Sequence, residues 1–172
     1  MILIFEGADL VGKSTLAERM ATKYGWRIVK IRWSVAPGGG DEQAETTGIA
    51  TATIELLATL QPDVILDRCY FSMWAYGLRT DYLPRLIARF DRVSRVVPSR
   101  LVLVTASAEE LARRYTRQPD LYFSLERIQA ANARFPSLLP LLPSSLPCLH
   151  IDTTSTSPDD AFATVDEFVR AV

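Results

Sequence analysis

Gly7, Ala8, Asp9, Leu10, Val11, Gly12, Lys13 and Ser14 follow the spacing G-x-x-x-x-G-K-[ST]. Two glycines let the backbone curl tightly, so that successive N–H groups can point inward at phosphate oxygens. A helix starting near Lys13 adds its positive N-terminal dipole to that anion site. In such a loop the lysine, Lys13, reaches the β- and γ-phosphates and the hydroxyl of Ser14 ligates Mg²⁺. Thr15 caps the helix or packs against it. The chemistry expected of Gly7 to Thr15 is therefore the binding of a magnesium-bound nucleoside triphosphate, with ATP as donor and Mg²⁺ as metal.

A second set of residues could complete a phosphoryl-transfer site. Val64-Ile65-Leu66 is a short apolar run that ends in Asp67-Arg68. An acidic residue closing a buried strand, beside a phosphate loop, is placed to serve Mg²⁺, and Arg68 next to it can neutralise phosphoryl oxygens. The plain alternative is a surface ion pair worth about 0–1 kcal/mol. Arg113, Arg114 and Arg117 follow Glu109 and Glu110 on one helical stretch. Glu109–Arg113 and Glu110–Arg114 have i,i+4 spacing, which suits ordinary helix-surface pairing. The sharper reading is an arginine-bearing lid over residues 107–122, with Arg113 and Arg117 as its working members and Gln118-Pro119-Asp120 as its break. Arg32, at the end of another strand-like run, is either a solvated edge residue or an acceptor-site cation. His150 reads as a packing residue rather than a ligand.

Strands and helices alternate around these residues. Ile2 to Glu6, Trp26 to Trp33, Val64 to Leu66, Leu101 to Thr105 and Leu146 to Ile151 read as strands. Helical patterns cover Lys13 to Ala21, with Gly25 as C-cap, and Asp41 to Leu60. They continue at Cys69 to Gly77, within Asp81 to Val97, after the cap residue Ser107, over Ser124 to Phe135, and from Asp159 to Val172. Pro37-Gly38-Gly39-Gly40 is a turn at the carboxyl end of the second strand, where ligands sit in open α/β sheets. Asp152 opens a Thr- and Ser-rich loop of a kind that can hold an adenine ring. The pattern predicts an α/β fold: a three-layer α/β/α sandwich around a mostly parallel five-stranded sheet.

The 172 residues, 48% hydrophobic, are most simply one domain, with material for a core. A net charge of −1 gives no basic field for nucleic acid or for an anionic membrane. No apolar run approaches the ~20 residues of a membrane span, and a strand beginning at Ile2 leaves no room for a leader. Cys69 and Cys148 match no metal or CxxC spacing and read as reduced cysteines of the cytoplasm.

Several motifs together resemble the thymidylate kinase family of P-loop nucleoside monophosphate kinases. FEGADLVGKSTLAER is similar to that family's FEGxDGxGKST loop, Pro37-Gly38-Gly39 to the PGG of its REPGGT segment, and Asp67 to Tyr76 to its DRYxxSxxAYQ signature. The resemblance implies that Asp9 holds the acceptor sugar's 3′-hydroxyl, Arg68 the acceptor phosphate, and that Tyr76 packs under the sugar. It places Ser72 and Met73 on the acceptor side, Met73 where bacterial members carry a base-contacting asparagine. Leu10 stands where some members have a loop arginine; those lacking it place the arginine in the lid, as Arg113 to Arg117 would. Dimers are common in the family, so a homodimer is the associated expectation. The chain departs from the family between Gly39 and Asp67, where the helix supplying a stacking phenylalanine and a base-reading arginine is largely missing. Ala36 also replaces the glutamate before the proline.

The leading expectation is ATP- and Mg²⁺-dependent phosphoryl transfer to a deoxynucleoside monophosphate or a modified relative. The alternative enzyme is a P-loop kinase with a hydroxyl acceptor, a deoxynucleoside or small metabolite, with Asp67 or Asp9 as general base. A third reading is a nucleotide-binding module without turnover. The sequence has no NKxD guanine-reading motif.

Overall fold

The computed structural model describes residues 1–30, 56, 59, 63–77, 83–120 and 122–171, with the side chain of residue 70 undescribed. Arg32, the Pro37–Gly40 turn and most of the helix expected over residues 41–60 lie outside the described residues; Leu56 and Thr59 within that stretch are helical.

Among the described residues five strands form one sheet: β1 (Ile2–Glu6), β2 (Arg27–Lys30), β3 (Val64–Asp67), β4 (Ser99–Thr105) and β5 (Cys148–Asp152). Their order is β2-β3-β1-β4-β5, and every pairing is parallel rather than mostly so. All residues of β1 and β3 are buried. This is why they read as unbroken apolar runs: a central parallel strand is covered on both faces. The helices are α1 (Lys13–Tyr24), α2 (Tyr70–Ala75), α3 (Leu83–Ser94), α4 (Ala108–Arg117), α5 (Leu125–Arg134) and α6 (Pro158–Arg170), with a 3₁₀ turn over Phe135–Leu141. Among them α1 packs on α6 and on the β1–β3 strands, while α2 packs on α3 and α5.

The register sets the site. Phe5 pairs with Asp67, Glu6 with Leu103, and Thr105 with Asp152. In an all-parallel sheet these carboxyl ends lie along one edge, so the loops leaving β1, β3, β4 and β5 meet there. Local chemistry fixes the exits. Gly12 precedes α1 without a side-chain cap, and Thr15 is exposed. The Ser107 hydroxyl accepts from the Glu110 N–H and starts α4, as its sequence position predicts. Cys69 precedes α2 without a side-chain cap of its own.

Among the described residues no helix is long and apolar enough to cross a membrane. Both cysteines are free thiols. His150 corrects the sequence expectation: it is exposed on β5, with Nε2 2.9 Å from the Thr105 hydroxyl. On an edge strand, alternate side chains face solvent.

Candidate active site

The loop from β1 to α1 approaches the sheet closely. Gly7 has φ +146°, and a Cβ built there would lie 2.2 Å from the Val104 carbonyl oxygen. Only glycine fits that contact with β4. Ala8 and Val11 are wholly buried, and the segment from Asp9 to Leu16 lines one wall of a cavity of about 830 Å³. Arg113, Arg114 and Arg117 of α4 line another, and Thr153 to Pro158, after β5, a third. The cavity brings together the phosphate loop, the arginine helix and the Thr- and Ser-rich loop. Asp152 is exposed and acts within that loop, accepting from the Thr154 N–H at 2.8 Å.

Lys13 is buried, and its ammonium folds back on the loop, donating to the Ala8 carbonyl at 2.9 Å with Asp9 Oδ1 at 4.0 Å. Burial, then the positive Arg68, pulls its pKa down to about 8, against Asp9, Asp67 and Glu6. A phosphate oxygen would restore the charge preference that burial removes.

Ser14 and Asp67, the two residues expected at a metal, lie together. The Ser14 hydroxyl donates to Asp67 Oδ2 at 3.1 Å, and Lys30 Nζ lies 3.9 Å from the same oxygen. Asp67 Oδ1 is buried with no hydrogen-bond partner among the described residues. A buried acceptor without a donor is costly in a folded protein. Hard oxygen donors, one hydroxyl and one carboxylate, fit Mg²⁺, which otherwise keeps waters and phosphate oxygens.

On the far side of the loop, Asp9 binds both Arg68 and Tyr76. Arg68 donates to Asp9 Oδ1, and the Tyr76 hydroxyl donates to Oδ2 at 2.6 Å. Burial alone would raise the Asp9 pKa; Arg68, Lys13 and the Tyr76 hydroxyl outweigh it and hold the carboxyl below its usual range. Burial and the Asp9 charge push the Tyr76 phenol up. Arg68 has φ +73°, an uncommon left-handed backbone for a non-glycine residue, and also donates to the Gly7 carbonyl at 3.1 Å and the Ser72 hydroxyl at 3.2 Å. The Tyr76 ring packs on Phe123, centroids 4.6 Å apart. Ser72 and Met73 are both buried.

Glu6 and Thr153, to which the sequence assigned no role, and Arg114, read there only as a helix-surface pair of Glu110 and a lid arginine, matter here. Glu6, wholly buried at the end of β1, accepts from the Cys69 N–H at 2.7 Å, the Ser72 N–H at 3.3 Å and the Ser72 hydroxyl. It thereby caps α2, which lacks a cap of its own. Arg114 donates to the Leu10 carbonyl at 2.8 Å, and Thr153 reaches the Val11 carbonyl at 2.8 Å. A carboxylate ending an all-apolar strand was the one sequence signal for Glu6. Glu110 pairs with both Arg113 and Arg114, so Arg113 is held at i,i+3 rather than by Glu109.

No family model and no curated protein matches the sequence. Solved structures do match its fold. YorR from Bacillus subtilis, solved in complex with phosphorylated GDP, superposes with a TM-score of 0.72 at 18% identity, over 98% of this chain and 95% of that one. Deoxyadenosine kinase from M. mycoides, with dCMP and a flexible dCDP, gives 0.72 at 14% identity over 100% of both chains. Thymidylate kinase from Candida albicans gives 0.63 at 17% identity, over 98% of this chain and 90% of that one. With its five-stranded parallel sheet and phosphate loop, the chain has the fold of the P-loop nucleoside and nucleotide kinases.

Proposed function

We propose that the protein transfers the terminal phosphoryl group of ATP, with Mg²⁺, to a deoxynucleoside monophosphate. The observation that carries this reading is the Ser14–Asp67 pair, whose buried Oδ1 has no partner among the described residues, at the mouth of a phosphate loop that faces arginines across one cavity. An acceptor oxygen forms a bond to the γ-phosphorus, the bond from that phosphorus to its bridging oxygen breaks, and ADP leaves. Ser14 and Asp67 would hold Mg²⁺, which would supply positive charge against the phosphate oxygens. Lys13 follows the β- and γ-phosphates, and Arg113 and Arg117 face the transferring group from α4. Asp9, with Tyr76 beneath, orients the acceptor sugar, and Arg68 the acceptor phosphate. Such an acceptor needs no strong base, so positioning and charge supply the catalysis.

One observation favours a second reading. Arg68 is already held by Asp9, the Gly7 carbonyl and the Ser72 hydroxyl, and a guanidinium so engaged is less open to an acceptor phosphate. The acceptor would then be a deoxynucleoside hydroxyl. Asp9, held ionised below its usual range, is a poor base, which leaves Asp67.

The test is ADP release from Mg-ATP against nucleosides, nucleoside monophosphates and small alcohols, with Lys13→Ala as control. Turnover confined to monophosphates and lost in the variant supports the lead. Turnover only with unphosphorylated acceptors replaces it with the second reading, and binding of ATP without any turnover replaces both with a nucleotide-binding module.

A further inference from the structure

We infer that Arg114 and Thr153 preset the phosphate loop, each holding one carbonyl outward so that Val11 and Gly12 present their N–H groups to the donor's phosphates. The inference rests on the donor site proposed above. Arg114 Nη1 donates to the Leu10 carbonyl at 2.8 Å, and the Thr153 hydroxyl donates to the Val11 carbonyl at 2.8 Å. These carbonyls belong to two successive peptide units. In a planar trans peptide the C=O and the following N–H point in opposite directions. Drawing the Leu10 and Val11 oxygens towards α4 and the end of β5 turns the Val11 and Gly12 N–H groups the other way, into the hollow of the loop. Among the described residues neither N–H donates to a protein acceptor. The Leu10 backbone, at φ +67°, adopts the left-handed conformation this turn requires.

The two tethers are themselves braced. Arg114 Nη1 also donates to the Thr153 hydroxyl at 3.1 Å, and Nη2 to the Thr153 carbonyl at 2.8 Å. The Thr153 N–H is held by the Thr105 carbonyl at 2.9 Å, which continues the β4–β5 pairing into the loop. Glu110 Oε1 accepts from Arg114 Nε at 2.6 Å and compensates its charge. Arg114 thus differs from Arg117, which lines the same cavity, is exposed, and has no ion-pair partner among the described residues. Arg114 is a positioning residue, and the charge for the transferring group is left to Arg113 and Arg117.

The preset N–H groups would serve the α- and β-phosphates, which ADP and ATP share. The experiment measures Kd for Mg-ADP and Mg-ATP by calorimetry on the whole protein, Arg114→Met and Thr153→Val. Each variant is expected to weaken both nucleotides equally, by about ten-fold, the usual loss for one hydrogen bond to a charged group. Where Arg114→Met does not fold, Arg114→Lys, which can reach only one carbonyl, carries the same expectation at smaller size. Unchanged affinities in folded variants overturn the inference. So does a loss confined to ATP, which would make Arg114 a direct partner of the terminal phosphate. If the unaltered protein binds neither nucleotide, the donor site falls, and the inference with it.

Discussion

Ser14 and Asp67, from the start of α1 and the end of β3, meet at 3.1 Å through one oxygen of the carboxylate while the other is buried without a partner among the described residues. That asymmetry is what a cation site needs and what a purely structural aspartate avoids. Asp67→Asn keeps the shape and puts an amide where the charge was. It should raise the Mg²⁺ concentration for half-maximal activity by about 10–100-fold, comparable to the loss of a supporting carboxylate at other metal sites. A magnesium titration of initial rates measures this; an unchanged midpoint would remove Asp67 from the metal site.

Lys13 gives a pH signature. Its pKa of about 8 in the nucleotide-free protein means that the ammonium is charged below that pH and lost above it. A bound phosphate favours the charged form, so affinity should hold steady up to about pH 8 and then fall, by at most ten-fold per pH unit. Lys13→Ala should flatten this limb and lower kcat by roughly 10²–10³-fold, the loss seen when one preorganised electrostatic donor is removed. Nucleotide Kd measured from pH 7 to 9.5 checks the first part, and a flat profile for the unaltered protein would contradict it.

What the sequence made legible was local, and what it hid was carried by register. The phosphate loop, the Ser107 cap and the apolar runs of β1 and β3 each act over a few residues, so spacing and residue type suffice to find them. Glu6 meets Cys69 across a sequence separation of 63, and Arg114 meets Leu10 across 104. Those meetings follow from strands pairing Phe5 with Asp67 and Thr105 with Asp152, which no local pattern encodes. The arginine helix shows both levels at once. Its existence, its cap and the Glu110–Arg114 pair were readable; that Glu110 also takes Arg113, and that Arg114 reaches the phosphate loop, were not.

Gly7 and Gly12 bound the same loop but should respond differently to alanine. At Gly7 the new Cβ would meet a backbone carbonyl at 2.2 Å, which cannot move without disturbing β4. At Gly12, with φ +92°, the nearest atom is Arg114 Nη1 at 4.0 Å, so only backbone strain remains. Gly7→Ala should cost roughly 3–5 kcal/mol and Gly12→Ala about 1–2 kcal/mol. Urea unfolding of both variants gives the comparison, and equal losses would contradict the close approach of the loop to Val104.

Glu6 makes stability depend on pH with a sign opposite to that of a salt-bridged carboxylate. Burial pushes its carboxyl up to about 7, against the Ser72 hydroxyl, Arg68 and the Cys69 and Ser72 N–H groups, whereas the unfolded chain ionises it near 4.5. Between those values the folded protein holds more protons than the unfolded one, so stability falls as pH rises from about 4.5 to about 7 and is level above. The limb amounts to about 3 kcal/mol. Glu6→Gln keeps an oxygen for the Cys69 N–H and an amide for the Ser72 hydroxyl, but has no proton to lose. The difference in unfolding free energy between the two proteins should therefore change across pH 4.5–7 and stay constant from 7 to 8. A difference independent of pH throughout would mean that Glu6 ionises alike in the folded and unfolded chain, and would leave its role as a cap on α2 without any shift in its titration.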